Sequence, residues 1–243
     1  MVHPRRVSRF PRGDGTEASI THPAQMSGGS FVPQDAALVV QVSRWDALKD
    51  PVGVMVGFSE NAELAHAHLL LAGPAPSSVA DDPEAEVVLG TVRERWKELD
   101  DRVRSRVHLA NLPMDDAEEN AIVVNALQRR ADVVVQKSVA EGFGLTVTEA
   151  LWKARPVVAG DLGGIRDQIH DQVSGVLVDP RDLAAFGAAV AGVIRDPARA
   201  AVLGEAGRRR VEERYLPTHY RGAYLELFLL LTPAGAGGSP APA

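Results

Sequence analysis

Six short Val/Leu/Ile-rich runs alternate with helix-length stretches between positions 37 and 195. Near-continuous apolar strands that alternate with helices belong in a sheet covered on both faces. The order therefore predicts an α/β fold with a doubly wound, Rossmann-like parallel sheet. Bulk composition fits that class: 45% of the 243 residues are hydrophobic and 24% are charged, enough for one sizeable core. Only 5% are aromatic, so Val, Leu, Ile and Ala must fill it.

Taken in order, residues 1–35 carry Pro, Gly, Ser and scattered Arg without an apolar period, and are expected to form a flexible extension. The domain proper is expected over 36–197. Its strands are expected at 37–42 (ALVVQV), 68–71 (HLLL), 107–109 (VHL), 132–136 (DVVVQ), 156–159 (PVVA) and 175–178 (GVLV). Helices are expected between them at 51–65, 84–104, 118–129 and 145–154, and after the last strand at 180–195. Two C-terminal helices follow within 198–231; the first sets Val202, Leu203, Ala206 and Val211 against an Arg-rich face. The tail 232–243 is Pro, Gly and Ala and is expected to be disordered.

Several function classes are disfavoured. Cysteine is absent, which removes disulfides, thiolate zinc sites and cysteine nucleophiles. A net charge of −6 argues against general nucleic-acid affinity, so phosphate chemistry must rest on a few local cations. No apolar run approaches the roughly 18–20 residues that cross a bilayer. Residues 225–231 read as a buried helix end, and the basic start lacks the apolar run of a secretory signal. A cytoplasmic protein without membrane or nucleic-acid partners is expected. The seven histidines form no ligand set, and Walker A, Gly-x-Ser-x-Gly and zinc-protease patterns are missing.

Open parallel sheets bind ligands beyond the carboxyl ends of their strands. Arg44 follows the first strand and Lys49 lies five positions on, a fork and a movable point charge for phosphate oxygens. Glu141 follows the fourth strand, and Glu149 comes eight positions later in EGFGLTVTE. Gly142 and Gly144 permit positive φ and close backbone approach, and a helix opening near Leu145 points free N–H groups at the loop. Lys137 and Ser138 end the fourth strand and are candidates for phosphate or sugar contacts. Gly163 and Gly164, before Ile165, form a second glycine turn on the same edge, read equally well as a plain turn or a ligand contact. Each pattern alone has a plain structural reading; their shared sheet edge gives them weight.

Three stretches carry a family resemblance: QVSRWD from Gln41 to Asp46 with Lys49 and Pro51, QKS from Gln136 to Ser138, and EGFGLTVTEALWK from Glu141 to Lys153. They resemble the C-terminal, donor-binding half of retaining glycosyltransferases of the GT-B fold. Within that superfamily the wording is most similar to the trehalose glycosyltransferring synthase and trehalose phosphorylase group. The resemblance runs from about Val40 to Tyr215.

It implies transfer of glucose from a nucleoside-diphosphate glucose to a sugar acceptor, forming trehalose, with no metal or other cofactor. By the resemblance Arg44 and Lys49 neutralise the diphosphate and Glu149 binds the ribose hydroxyls. Glu141 faces the transferred glucose, and the backbone of Phe143 and Gly144 contacts its hydroxyls and the phosphate. A leaving diphosphate gathers negative charge, which placed cations and amide dipoles stabilise. The implied route is front-face attack, with a covalent Glu141 intermediate as its competitor. Phosphorolysis of trehalose is the alternative activity, and a non-catalytic nucleotide-sugar-binding module the alternative outside enzymes.

The family's acceptor-binding half has no counterpart in residues 1–35, so the chain is expected to bind donor and transfer little unless that half is supplied. Apolar residues of the last helices, Tyr215, Tyr220, Tyr224 and Phe228, are expected to promote self-association. Ala154 stands where the family commonly has Gly, at an expected small cost unless positive φ is needed there.

Overall fold

The computed structural model describes residues 8–27, 32–76 and 83–232. Short strands β1 (Arg9–Pro11), β2 (Glu17–Ser19) and β3 (Gln25–Ser27) come first, then β4 (Leu38–Val42) and α1 (Pro51–Ser59). They are followed by β5 (His68–Pro74), α2 (Pro83–Glu98), α3 (Asp101–Arg104), β6 (Val107–Leu112) and α4 (Ala117–Arg130). Next come β7 (Val133–Gln136), α5 (Leu145–Trp152), β8 (Val157–Gly160), α6 (Ile165–Gln168) and β9 (Val176–Val178). Helices α7 (Leu183–Arg195), α8 (Pro197–Arg214) and α9 (Pro217–Leu231) follow as the last elements among the described residues.

The main sheet has the order β3-β6-β5-β4-β7-β8-β9, parallel throughout except for β3 against β6. Its six parallel strands, counted from β4, run 3-2-1-4-5-6, the doubly wound order expected. Alternate residues of each strand serve opposite faces. Val39, Leu69 and Val133 meet Val54, Phe58, Leu89 and Phe186 in one core, and Val40, Leu70 and Val134 meet Val147, Leu151, Ile165 and Val211 in the other. Two expected helices are shorter than read. Asn61 caps a 3-10 turn after α1, and Asp100 caps α3 after α2, each accepting from a backbone amide ahead of it.

The N-terminal segment differs from the flexible extension expected. β1 and β2 form an antiparallel hairpin, and β3 extends the sheet by pairing Met26 with Ala110. No apolar period is needed, because backbone pairing and charge hold the arm. Arg12 pairs with Asp116 and, at 2.8 Å, with Glu118; the amides of Thr21 and His22 both donate to Glu119 at 2.7 Å. Residues 1–7 and 28–31, and the expected tail from 233 onward, lie outside the described residues.

The chain's end also departs from expectation. Residues 225–231 do not form a buried helix end: Leu229 and Leu230 on α9 stand open, the latter 82% exposed, and α9 adds nothing to either core. No helix among the described residues is long and apolar enough to cross a membrane. Ala154 does adopt positive φ, at 54°. It is the left-handed residue just past α5, where its amide donates to the Leu151 carbonyl at 2.8 Å and the chain turns into β8. An L-residue there costs about 1–2 kcal/mol, so the exception named for this position, a need for positive φ, is the case that holds.

Candidate functional site

β4 and β7 are neighbours, but their crossovers lead to opposite ends of the sheet. Beyond their carboxyl ends the connecting loops part, leaving the crevice where open α/β sheets take ligands. Arg44 and Lys49 enter it from the loop after β4, and Glu141 to Gly144 from the loop after β7. The Val139 amide donates to the Leu48 carbonyl at 2.8 Å and ties the two loops together.

Asp46 sets the first loop by accepting from the Leu48 amide at 2.8 Å and from Arg44 at 2.8 Å. Trp45, buried, anchors it through an indole donation to the Pro74 carbonyl at 2.9 Å. Gln41 donates to the Lys49 carbonyl at 2.9 Å. Arg44 remains 63% exposed at the crevice. Lys49 and Glu141 form an ion pair, 17% and 11% exposed. The two were read as serving different parts of a ligand; the fold brings them into contact.

Behind Glu141 runs a buried polar chain. Thr146 donates to Gln136 at 3.1 Å, Gln136 to Ser138 at 2.8 Å, and Ser138 to Glu141 at 3.2 Å. Ser138 therefore orients a carboxylate. Lys137 points away from the crevice: it is fully buried, paired with Asp50 and donating to the Pro180 carbonyl at 2.6 Å. Just past β7, Lys137 and Ser138 send their side chains to different partners, Asp50 and Glu141. The expectation of a ligand contact at Lys137 is corrected to an internal tie.

Gly144 has φ 86° and caps α5 without any side-chain bond, leaving the first amides of that helix aimed at the crevice. Leu145 begins the helix with an exposed side chain, and Gly142 is also open. Phe143 is partly exposed, its ring edge-on to Tyr215 at 5.8 Å, and its carbonyl accepts from buried Gln168. Tyr215 is thereby engaged, and its hydroxyl donates to the Asp167 carbonyl at 2.6 Å. Gly163 (φ 47°) and Gly164 lie directly on this loop: a Cβ at either would collide with the Glu141 or Gly142 carbonyl. Gly164 donates to Gly142 O at 3.1 Å. Close backbone packing is thus a sufficient reason for the second glycine turn, the plain-turn reading of the two offered.

Two recesses open here and share Arg44. A shallow one of about 400 Å³ holds Arg44, Lys49, Glu141 and Gly142. The other, about 450 Å³ and more apolar, is bordered by Gly73, Leu112, Met114, Val124, Glu149 and Lys153. Glu149, one turn into α5, faces this second recess. Burial lowers the Lys153 ammonium below the usual lysine range, Glu149 opposing that shift and Arg129 adding to it. A recess of about 510 Å³ lies at the opposite, amino edge, between Ala36, Arg130, Arg155 and Ala200, and none of the expected site residues borders it. Among the described residues no three His, Asp or Glu side chains gather as a metal-binding group.

Sequence reasoning missed Thr146, Gln168, Gln128 and Lys153 as members of this neighbourhood. Their partners lie 10 to 25 positions away, beyond the reach of a local motif.

A doubly wound sheet of this order, with a crevice at its switch point, is the architecture of one half of a GT-B glycosyltransferase. The chain belongs to the family described as Glycosyl transferases group 1, whose model matches residues 30–210. It is 40% identical over 202 residues to the trehalose synthase of Rubrobacter xylanophilus, covering 82% of this chain and 45% of that protein. Among solved structures, it is similar to a sucrose-phosphate synthase from Thermosynechococcus elongatus, with TM-score 0.65 and 27% identity over 82% of this chain and 47% of that one. Anabaena HepE, solved in complex with UDP-glucose, shares the fold with TM-score 0.66 at 18% identity, over 81% of this chain and 50% of that one. The chain spans about half the length of the curated trehalose synthases it matches.

Proposed function

We propose that this chain is the donor-binding half of a retaining hexosyltransferase that takes glucose from a nucleoside-diphosphate glucose and forms trehalose. The observation that carries the reading is the convergence of Arg44, the Lys49–Glu141 pair and the N-terminus of α5 on one crevice, with Glu149 in the adjoining recess. The nucleoside occupies the apolar recess with Glu149 at the ribose. The diphosphate crosses Arg44, and the glucosyl group lies by Glu141. As the glycosidic bond breaks, charge gathers on the leaving diphosphate. Arg44, Lys49 and the α5 amides, already in place, stabilise that charge without a divalent metal. The 40% identity to a trehalose synthase supports the choice of product.

Calorimetric titration with UDP, ADP and GDP and their glucose esters, with and without a chelator, tests this reading. At least one pair is expected to bind with chelator present, and failure of all six ligands would overturn it. Holding donor and acceptor together supplies up to roughly 7–11 kcal/mol of such a barrier. Trehalose formation is therefore expected to need the acceptor-binding half, the relatives being about twice as long. Enzyme-like turnover of glucose and donor by the 243-residue chain alone would contradict that dependence.

A further inference from the structure

Gln128 lies on α4, where Val123, Val124 and Leu127 supply apolar packing, yet it is a fully buried amide. Its side-chain hydrogen bonds all go to α5 and the residue just past it, one of them to Glu149 itself. Its Nε2 donates to Glu149 Oε2 at 3.3 Å and to the Thr146 carbonyl at 3.4 Å, and its Oε1 accepts from Lys153 Nζ at 2.7 Å. Lys153 also donates to the Glu149 carbonyl at 3.1 Å. An ammonium can only donate, so Lys153 obliges the amide to present oxygen to it and nitrogen to Glu149. The amide orientation is thus dictated by chemistry. Glu149, which lines the recess, is held through Oε2, while no hydrogen bond from a protein donor reaches its Oε1 among the described residues.

We infer that Gln128, oriented by Lys153, is a positioning residue that aims Glu149 at the vicinal hydroxyls of the donor's ribose and so sets selectivity for ribose over sugars lacking them. The inference rests on the donor-site reading above. A buried amide with every arm satisfied holds one geometry, whereas leucine at 128 would fill the space and leave Glu149 free to swing into solvent.

The test measures binding of UDP, ADP and GDP, each against its dideoxy counterpart, in wild type and Gln128→Leu. Wild type is expected to prefer the ribose form by about tenfold or more, the worth of one charge-assisted hydrogen bond. Gln128→Leu is expected to bring that ratio to about twofold while dideoxy affinity stays within about twofold of wild type. A merely structural role would weaken both ligands alike. Retention of the wild-type ratio, or equal loss of both ligands, overturns the inference. Should Gln128→Leu not fold, Lys153→Met at the recess rim releases the amide. It must then lower the ratio, and a loss shared equally by both ligands counts against the inference. If wild type binds the nucleotides without hydroxyl preference, the inference alone fails; if it binds none of them, the donor reading fails with it.

Discussion

Arg44→Ala separates ligand binding from folding better than any other change at this site. Arg44 is 63% exposed and pairs with Asp46, which keeps its bond to the Leu48 amide when the guanidinium is gone. Asp46 is only 13% exposed but Arg44 lies largely in solvent, so losing the pair costs on the order of 1 kcal/mol and the melting temperature is expected to move by about 4 °C or less. A bond from the guanidinium to a phosphate oxygen contributes about 1.5–3 kcal/mol, which is about 10–100-fold in affinity. Calorimetry with a nucleoside diphosphate beside a thermal melt reads both quantities. Raising ionic strength should weaken wild type more than the variant, since screening acts on the charge that was removed. Equal affinity in the two proteins would refute the phosphate assignment. Lys49→Ala is a poorer probe. It strands the Glu141 carboxylate, 11% exposed, with Ser138 as its remaining side-chain donor, and breaking such a buried pair costs about 3–5 kcal/mol of stability.

Glu149→Gln should weaken free diphosphate and glucose ester alike, whereas Glu141→Gln should mainly weaken the ester. Paired titrations decide this, and equal loss of both ligands in both variants would end the division of labour. Ala154→Gly should stabilise the fold by about 0.5–1 kcal/mol, the left-handed cost of about 1–2 kcal/mol less glycine's greater freedom when unfolded, measured as a shift in urea midpoint. His68, beside His108 at 2.9 Å and near Arg106, is held below the usual histidine range by burial first and then by those two neighbours. The unfolded chain therefore takes up this proton first, and the stability it contributes is full above the ordinary histidine pKa and is lost as pH falls from there through the lowered folded value. Urea midpoints measured from neutral to mildly acid pH should fall less in His68→Asn than in wild type, and parallel slopes would dismiss the assignment. His22, raised by its bond to Glu119, acts in the opposite sense, which is why the comparison is between variants.

The sequence by itself determined the class of fold and part of the crevice's lining, Arg44, Lys49, Glu141, Gly142 and Glu149. Runs such as DVVVQ at 132–136 become strands because their apolar side chains suit a sheet buried on both faces, and the structure places β7 at Val133–Gln136. Ligand loops follow those strands, so Arg44, Glu141 and Gly144 were legible as neighbours of one edge. Tertiary structure alone decided which of them touch. Lys49 meets Glu141 across 92 positions and Lys137 meets Asp50 across 87, because β4 and β7 pair side by side in the sheet. Gln128 reaches Glu149 only because α4 and α5 pack on the same face. The N-terminal arm escaped local reading because its order comes from backbone pairing with β6 and from Glu119, partners about 85 to 100 positions away. Periodicity reports which face of an element is buried. It carries no record of which distant backbone or charge will lie against that face, and that is settled only when the whole sheet assembles.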